Sequence, residues 1–245
     1  MGFENVADSF GQKARQYDRC APLQKEVARK LARQLPGLGA PDILEIGCGT
    51  GFLTAALFQK YKDGRFHITD IAPEMVSVAA EKFHGDERAV FEVMDGENPS
   101  LEKQYDLIVS SMAVQWFASP QKSLKALQKH LKPEGRLYYA TLGQESFAEW
   151  RAVTQEAGVS SGLLALSAWP GIISEEKIEI DYGDALGFLK ALKAIGAHQP
   201  AENYTPLHPA AMRRVCRHFD ETYQGRIRWH IVYGCLEAQA KVFAR

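Results

Sequence analysis

From Asp42 to Ala140 the apolar positions alternate between short continuous runs and stretches with helical spacing. The runs at Ile43–Ile46, Arg65–Asp70, Val90–Met94, Asp106–Ser110 and Arg136–Ala140 predict strands, and Phe52–Tyr61, Pro73–Phe83 and Pro120–Leu131 predict helices. Strands alternating with helices build a parallel sheet covered on both faces, with ligands bound beyond the carboxyl ends of the strands. Ahead of this block, Ser9 to Gln34 is a polar, basic helical segment broken near Ala21-Pro22 and closed by the loop Leu35 to Gly39. Beyond Thr141 the pattern changes: Glu145–Ala157, Asp184–Ile195 and Pro209–Tyr223 read as helices, Lys177–Tyr182 and Ile227–Leu236 as strands. The two late strands are expected to form an antiparallel edge pair completing a seven-stranded sheet, with the helices around them folded over the site as a lid. One domain over residues 1–245 is expected, comprising a helical cap (1–38), a core (39–141), lid helices with a late strand (142–226) and a final strand (227–245).

Composition narrows the class without naming a function. At 245 residues and 46% hydrophobic content the chain buries one sizeable core. The formal net charge of -1 gives no global field toward nucleic acid or a membrane surface. No apolar run approaches the roughly 20 residues of a spanning helix, and Met1 to Ala7 lacks a signal-peptide pattern, so retention in the cytoplasm is the expectation. Cys20, Cys48, Cys216 and Cys235 are scattered, which indicates reduced thiols and neither a zinc site nor a disulfide framework.

The most informative stretch is Ile43 to Gly51, a strand ending in Glu45-Ile46 and running into Gly47-Cys48-Gly49-Thr50-Gly51 ahead of a helix. Glycines at such a turn let a ligand approach the backbone, and the helix start offers unpaired N–H groups. The spacing is G-x-G-x-G with an acid two residues before the first glycine, whereas the dinucleotide pattern is G-x-G-x-x-G. It looks like the S-adenosylmethionine (SAM) loop of class I methyltransferases, which have a Rossmann-like α/β sheet. On that reading Gly47, Cys48, Gly49 and Gly51 accommodate the methionine end, and Glu45 holds the loop and the cofactor amino group. Asp70 is placed for the ribose hydroxyls and Asp95, before Gly96, for the adenine amino group, with Ile71, Met75 and Met94 as apolar walls. Asp70 and Asp95 read equally well, one by one, as a cap or turn acid. At the fourth strand's end, Ser111 presents its backbone to the cofactor, while Gln115 and Trp116 line the methyl-transfer pocket; Trp116 and Phe117 alternatively pack the core. Tyr17 closes over the sulfonium as a cation-binding ring, or is a surface tyrosine. Basic residues cluster at Lys13, Arg15, Arg19, Lys25, Arg29, Lys30 and Arg33, and again at Arg213, Arg214, Arg217, Arg226 and Arg228, as solvated faces or as a docking surface for an acidic partner.

Several blocks together resemble one family. Ser9-Phe10-Gly11, Tyr17-Asp18, Leu44 to Thr54, Ile68 to Met75, Met112 to Trp116, Thr141-Leu142-Gly143 with Ser146-Phe147, and Leu192 to Ala197 are similar to the malonyl-acyl-carrier-protein O-methyltransferases of biotin synthesis, the BioC family. The resemblance spans nearly the whole chain. It implies methyl esterification of the free carboxylate of malonyl-acyl carrier protein, with SAM as cofactor, S-adenosylhomocysteine as product, and no metal. A carboxylate is ionised at neutral pH and needs no general base, which suits the absence of a Ser/His/Asp or paired-acid constellation. An anionic substrate is expected to meet a guanidinium, with Arg151, or Arg15 in second place, as the steering residue. The alternatives are a SAM methyltransferase for another small carboxylate or amine, a non-catalytic SAM-binding module, and a nicotinamide oxidoreductase, against which the glycine spacing and Asp95 speak.

Overall fold

A computed structural model describes residues 14–164, 166, 168–195 and 206–239. Ser9 to Gly11, Lys13, Gly196, Ala197 and the side chain of Arg15, all singled out above, lie outside the described residues. Two helices lead, α1 (Ala14–Cys20) and α2 (Pro22–Gln34). Then follow β1 (Asp42–Ile46), α3 (Phe52–Lys60), β2 (Arg65–Asp70), α4 (Pro73–Lys82), β3 (Ala89–Val93), β4 (Tyr105–Ser111), a short 3₁₀ turn (Val114–Trp116), α5 (Pro120–Gln128) and β5 (Leu131–Leu142). The last third comprises α6 (Ala148–Glu156), β6 (Ile172–Asp181), α7 (Ala185–Ala194), α8 (Pro209–Tyr223) and β7 (Arg226–Glu237).

All seven strands join one sheet in the order β3-β2-β1-β4-β5-β7-β6. β1, β2, β3, β4 and β5 run parallel to one another, and β7 lies antiparallel between β5 and β6. The chain leaves β1 toward β2 on one side and returns to β4 on the other, so a crevice opens beyond the carboxyl ends of β1 and β4. Every residue of β1 is buried, including Ile43, Leu44 and Ile46, each worth about 1.5–3 kcal/mol of apolar transfer. Proline at the first helical position opens α2, α4, α5 and α8, where its missing N–H costs nothing. Along α2, Gln24, Val27, Ala28, Leu31 and Ala32 form the buried face. In the last third, aromatic rings join the helices to the sheet and to one another: Phe147 packs edge-on to Trp229 of β7 at 4.7 Å and Trp150 of α6 edge-on to Phe219 of α8 at 5.8 Å.

The largest boundary shifts fall at the starts of β5 and β6, and the helix expected from Glu145 begins at Ala148. The helix expected to reach Leu131 ends at Gln128, and β5 begins at Leu131 instead of Arg136. Leu131 pairs with Tyr105, and an irregularity between Tyr105 and Leu107 absorbs Pro133 and Gly135. β6 begins at Ile172 instead of Lys177, because as an edge strand it carries exposed Ser174 and Glu175 without cost. No described helix is long and apolar enough to cross a membrane.

Candidate active site

The site grows from the turn between β1 and α3. Gly47 has a φ of +71°, and a Cβ there would lie 2.3 Å from the Cβ of Ala113, so both the backbone and the close approach of the post-β4 segment require glycine. The loop is then tied down on both flanks. Cys48 N–H donates to the Thr69 carbonyl at 2.9 Å and Gly49 N–H to Asp70 Oδ2 at 2.8 Å. Asp70 Oδ1 also accepts from Ala72 N–H at 2.9 Å. Glu45, 1% exposed, accepts the Thr54 hydroxyl at 2.7 Å, which joins β1 to α3 under the loop.

Around this loop lies a cleft of about 960 Å³, mouth included. Four carboxyl side chains line it, Glu45, Asp70, Asp95 and Glu97, and among the described residues no Lys, Arg or His does. Burial pushes Glu45 up to about 8, against the Thr54 hydrogen bond and with help from Asp70. Asp70 is likewise raised by burial, opposed by the N–H groups of Ala72, Gly49 and Ile71. Burial also pushes the Cys48 thiol well up, so it is a packing group. An acidic, cation-free cleft suits a nucleoside bearing a sulfonium and an ammonium and disfavours a pyrophosphate. Ser111 Oγ is buried against the cleft without a hydrogen-bond partner among the described residues, a second sign of a missing polar ligand. Gly96 lines the cleft where a Cβ would lie 2.4 Å from Ile46 Cγ2. The residues present therefore fit SAM.

The roof over the cleft comes from the N-terminal helices, which supply Tyr17, Gln24 and Ala28. Asp18 latches this roof to the loop: it accepts from the Thr50 hydroxyl and from Lys82 Nζ at 2.8 Å, while Lys82 also donates to the Thr50 carbonyl at 3.1 Å. Partial burial works to raise the Asp18 carboxyl, but Lys82 and Thr50 outweigh it and hold it below its ordinary value. A second chamber of about 510 Å³, mouth included, opens beside the cleft. Leu142, Phe147, Leu163, Leu164, Leu166, Ile195 and Trp229 make it apolar. Tyr17, Gln24, Met112 and Trp116 line both spaces and form the neck between them. Met112 holds a φ of +56°, a costly conformation for a residue with a side chain, at the point where the chain leaves β4 for this neck.

The structure brings most expected residues to one place. Glu45, Gly47, Cys48, Gly49, Asp70, Ile71, Met75, Met94, Asp95, Gly96 and Ser111 all line the cleft, while Gly51 sits behind it against Phe83. Asp95 serves the turn as well, accepting from Glu97 N–H and Asn98 Nδ2 at 2.8 Å each. Tyr17 and Trp116 stand in the neck. Gln115 borders only the second chamber, with its amide donated to the Met112 carbonyl at 2.8 Å and accepting Thr141 Oγ1 at 2.9 Å. Arg151 borders neither space. Its Nη2 donates to the Leu164 carbonyl at 2.7 Å and its Nε to the Ser146 carbonyl at 3.3 Å, so it holds the chamber wall from behind. Among the described residues, those after Thr141 wall the second chamber and none lines the cleft, which the N-terminal helices roof.

Sequence reasoning passed over Gln24 and Glu97. Gln24 was legible as one amide on the apolar stripe of α2. Glu97 accepts from Ala118 N–H at 2.8 Å, Ser119 N–H at 3.0 Å and Ser123 Oγ at 2.7 Å, fixing the start of α5 beside the cleft; no local pattern announces this long-range cap. Among the described residues no cluster of three or more His, Cys, Asp or Glu side chains could hold a metal.

Comparison with known proteins agrees with this geometry. Residues 44–137 match the family model of a methyltransferase domain. A solved structure of similar fold is the YcgJ protein from Bacillus subtilis, with a TM-score of 0.63 at 13% identity over 88% of this chain and 99% of that one. The biotin biosynthesis bifunctional protein BioCD of Bordetella avium is 39% identical, over 94% of this chain and 51% of that longer protein. The malonyl-[acyl-carrier protein] O-methyltransferase of Magnetococcus marinus is 37% identical over 94% of this chain and 90% of its own length. By that similarity along its whole length, and with a loop, acid set and apolar chamber suited to the reaction, the chain belongs to the malonyl-acyl-carrier-protein O-methyltransferase family.

Proposed function

We propose that this protein esterifies the free carboxylate of malonyl-acyl carrier protein with the methyl group of SAM, an early step of biotin synthesis. The observation that carries this reading is an acidic cleft, lined by no described Lys, Arg or His, that shares Tyr17, Gln24, Met112 and Trp116 with an adjoining apolar chamber. SAM supplies an electrophilic methyl group, which a carboxylate oxygen takes in a single displacement that leaves a neutral thioether. The protein's own share is positional. The glycine loop and Ser111 receive the methionine end, Asp70 the ribose, and Asp95 with Ile71, Met75 and Met94 the adenine. Tyr17 and Trp116 border the transfer point with aromatic faces suited to a sulfonium. The chamber strips water from the acyl group and holds oxygen and methyl in near-attack geometry, about 3–3.5 Å apart, so no base is required. Conversion of the carboxylate to an ester removes the charge that distinguishes malonyl from an ordinary fatty-acyl primer.

The carrier protein is acidic in this reading and docks on the exposed cations Arg19, Lys25 and Arg29 of α1 and α2 and Arg213, Arg214 and Arg217 of α8. α1 packs on α7 and α7 on α8, which links the two groups. Lys30 and Arg228 are committed internally, to Glu176 at 2.5 Å and to Glu145 at 3.3 Å. The association rate is expected to fall steeply with ionic strength, and a flat dependence would remove this surface from the role. For the reaction itself, radiolabelled SAM and malonyl-carrier protein should yield label in a base-labile ester, absent with acetyl-carrier protein. No label despite SAM binding would move the substrate to another small carboxylate or amine.

A further inference from the structure

We propose that the carboxamide of Gln24, with the phenol of Tyr17, receives the substrate's free carboxylate at the neck, so that neutral donors recognise the anion. The inference rests on the malonyl reading above and deepens it. Gln24 is 7% exposed and sits on the face of α2 that otherwise buries Val27, Ala28, Leu31 and Ala32. Its amide opens onto the cleft and the chamber, where a ligand can reach it, and a polar group kept on an otherwise apolar stripe asks for a partner. Among the described residues Gln24 has no hydrogen-bond partner, and it lines both the cofactor cleft and the apolar chamber. The other amide bordering the chamber, Gln115, is already engaged by Met112 and Thr141. No described Lys, Arg or His lines either space, and Arg151 faces the carbonyls of Ser146 and Leu164. Burial holds the Tyr17 hydroxyl protonated, available as a donor.

Neutral donors suit the chemistry. A bidentate guanidinium would bind the carboxylate tightly but lower the energy of the nucleophile, whereas an amide N–H and a phenol O–H orient it at less cost to reactivity. The charge needed to hold an anion in an apolar chamber comes from the sulfonium at the other side of the neck. The ester product is uncharged and a weaker acceptor, so the same donors release it.

The test is binding of malonyl- and acetyl-carrier protein to the enzyme saturated with an unreactive SAM analogue that carries an amine in place of the sulfonium, together with steady-state methylation, for wild type, Gln24→Met, Gln24→Asn and Gln24→Glu. Loss of a hydrogen bond to a charged group should weaken malonyl binding in Gln24→Met about 10- to 100-fold, with acetyl binding unchanged, erasing the discrimination between them. Gln24→Glu should lose at least about 100-fold in kcat/KM at pH 7.5 and regain activity as the pH falls and the new carboxyl protonates, a limb absent from wild type. Malonyl discrimination retained within about twofold in Gln24→Met would overturn the role. If Gln24→Met loses binding of that analogue, the acid-side recovery of Gln24→Glu and intermediate discrimination by Gln24→Asn decide instead, and their absence overturns it. Wild type that methylates no malonyl substrate would overturn the functional reading first, and this inference with it.

Discussion

Glu45 offers a direct probe of how the fold is tuned to a cationic ligand. Its carboxyl is raised from 4.5 to about 8, so the free protein holds a proton there that the unfolded chain has already released at neutral pH. The folded state then binds more protons than the unfolded one, and stability falls as pH rises from about 4.5 to about 8 before levelling off. At one pKa unit per 1.36 kcal/mol, retaining that proton costs the free fold about 3 kcal/mol at pH 7 and nothing below about pH 4. Glu45→Gln keeps the shape and the acceptor for Thr54 but never ionises. The ligand-free variant is therefore expected to match wild type near pH 4.5 and to exceed it progressively, the gap growing by about 3 kcal/mol between pH 5.5 and 8 as an upper estimate. For a chain of this size that is a rise in Tm of about 6–12 °C relative to wild type. Thermal unfolding at pH 5.5, 7 and 8.5 without cofactor reads it directly. A gap that does not widen with pH, or a variant less stable at pH 8.5, would refute the reasoning. The same substitution removes the negative charge that an ammonium-bearing ligand calls up, so SAM affinity should fall about 10-fold or more while stability rises.

Two further expectations concern the loop and the chamber wall. Gly47→Ala forces a side chain into a φ of +71° and into Ala113, so it should cost about 1–3 kcal/mol of stability and abolish measurable S-adenosylhomocysteine binding; calorimetric titration checks this, and near-normal affinity would show that the loop shifts freely. Arg151→Ala leaves the Leu164 carbonyl without its donor and loosens the chamber wall, so KM for malonyl-carrier protein should rise about 5- to 50-fold with cofactor affinity retained. Steady-state kinetics separate this from a role in the cleft, which would lower cofactor affinity as well.

Local patterns carried most of the architecture. The strand, glycine turn and helix at Ile43 to Tyr61, and the acids after β2 and β3, were readable because each is specified by neighbours in the chain: apolar periodicity, residues that tolerate positive φ, and a carboxyl at a strand end. The double role of Asp70 and Asp95 was also legible as a choice between turn acid and ligand acid. The structure shows that each closes its turn while facing the cleft, since a carboxylate has acceptors enough for both.

The sequence by itself determined the alternating α/β sheet, the cofactor loop and the ordered acids, because those features arise from short-range periodicity and conformational preference. Only the tertiary structure decided that Asp18 latches the N-terminal helices to the glycine loop, that Gln24 stands in the neck, and that Arg151 is turned to the Leu164 carbonyl behind the chamber. The physical reason is common to all three. A side chain's partner is set by which distant segments pack against it, and the burial of an amide or guanidinium obliges it to take the donors and acceptors found there, whatever its neighbours in the chain suggest.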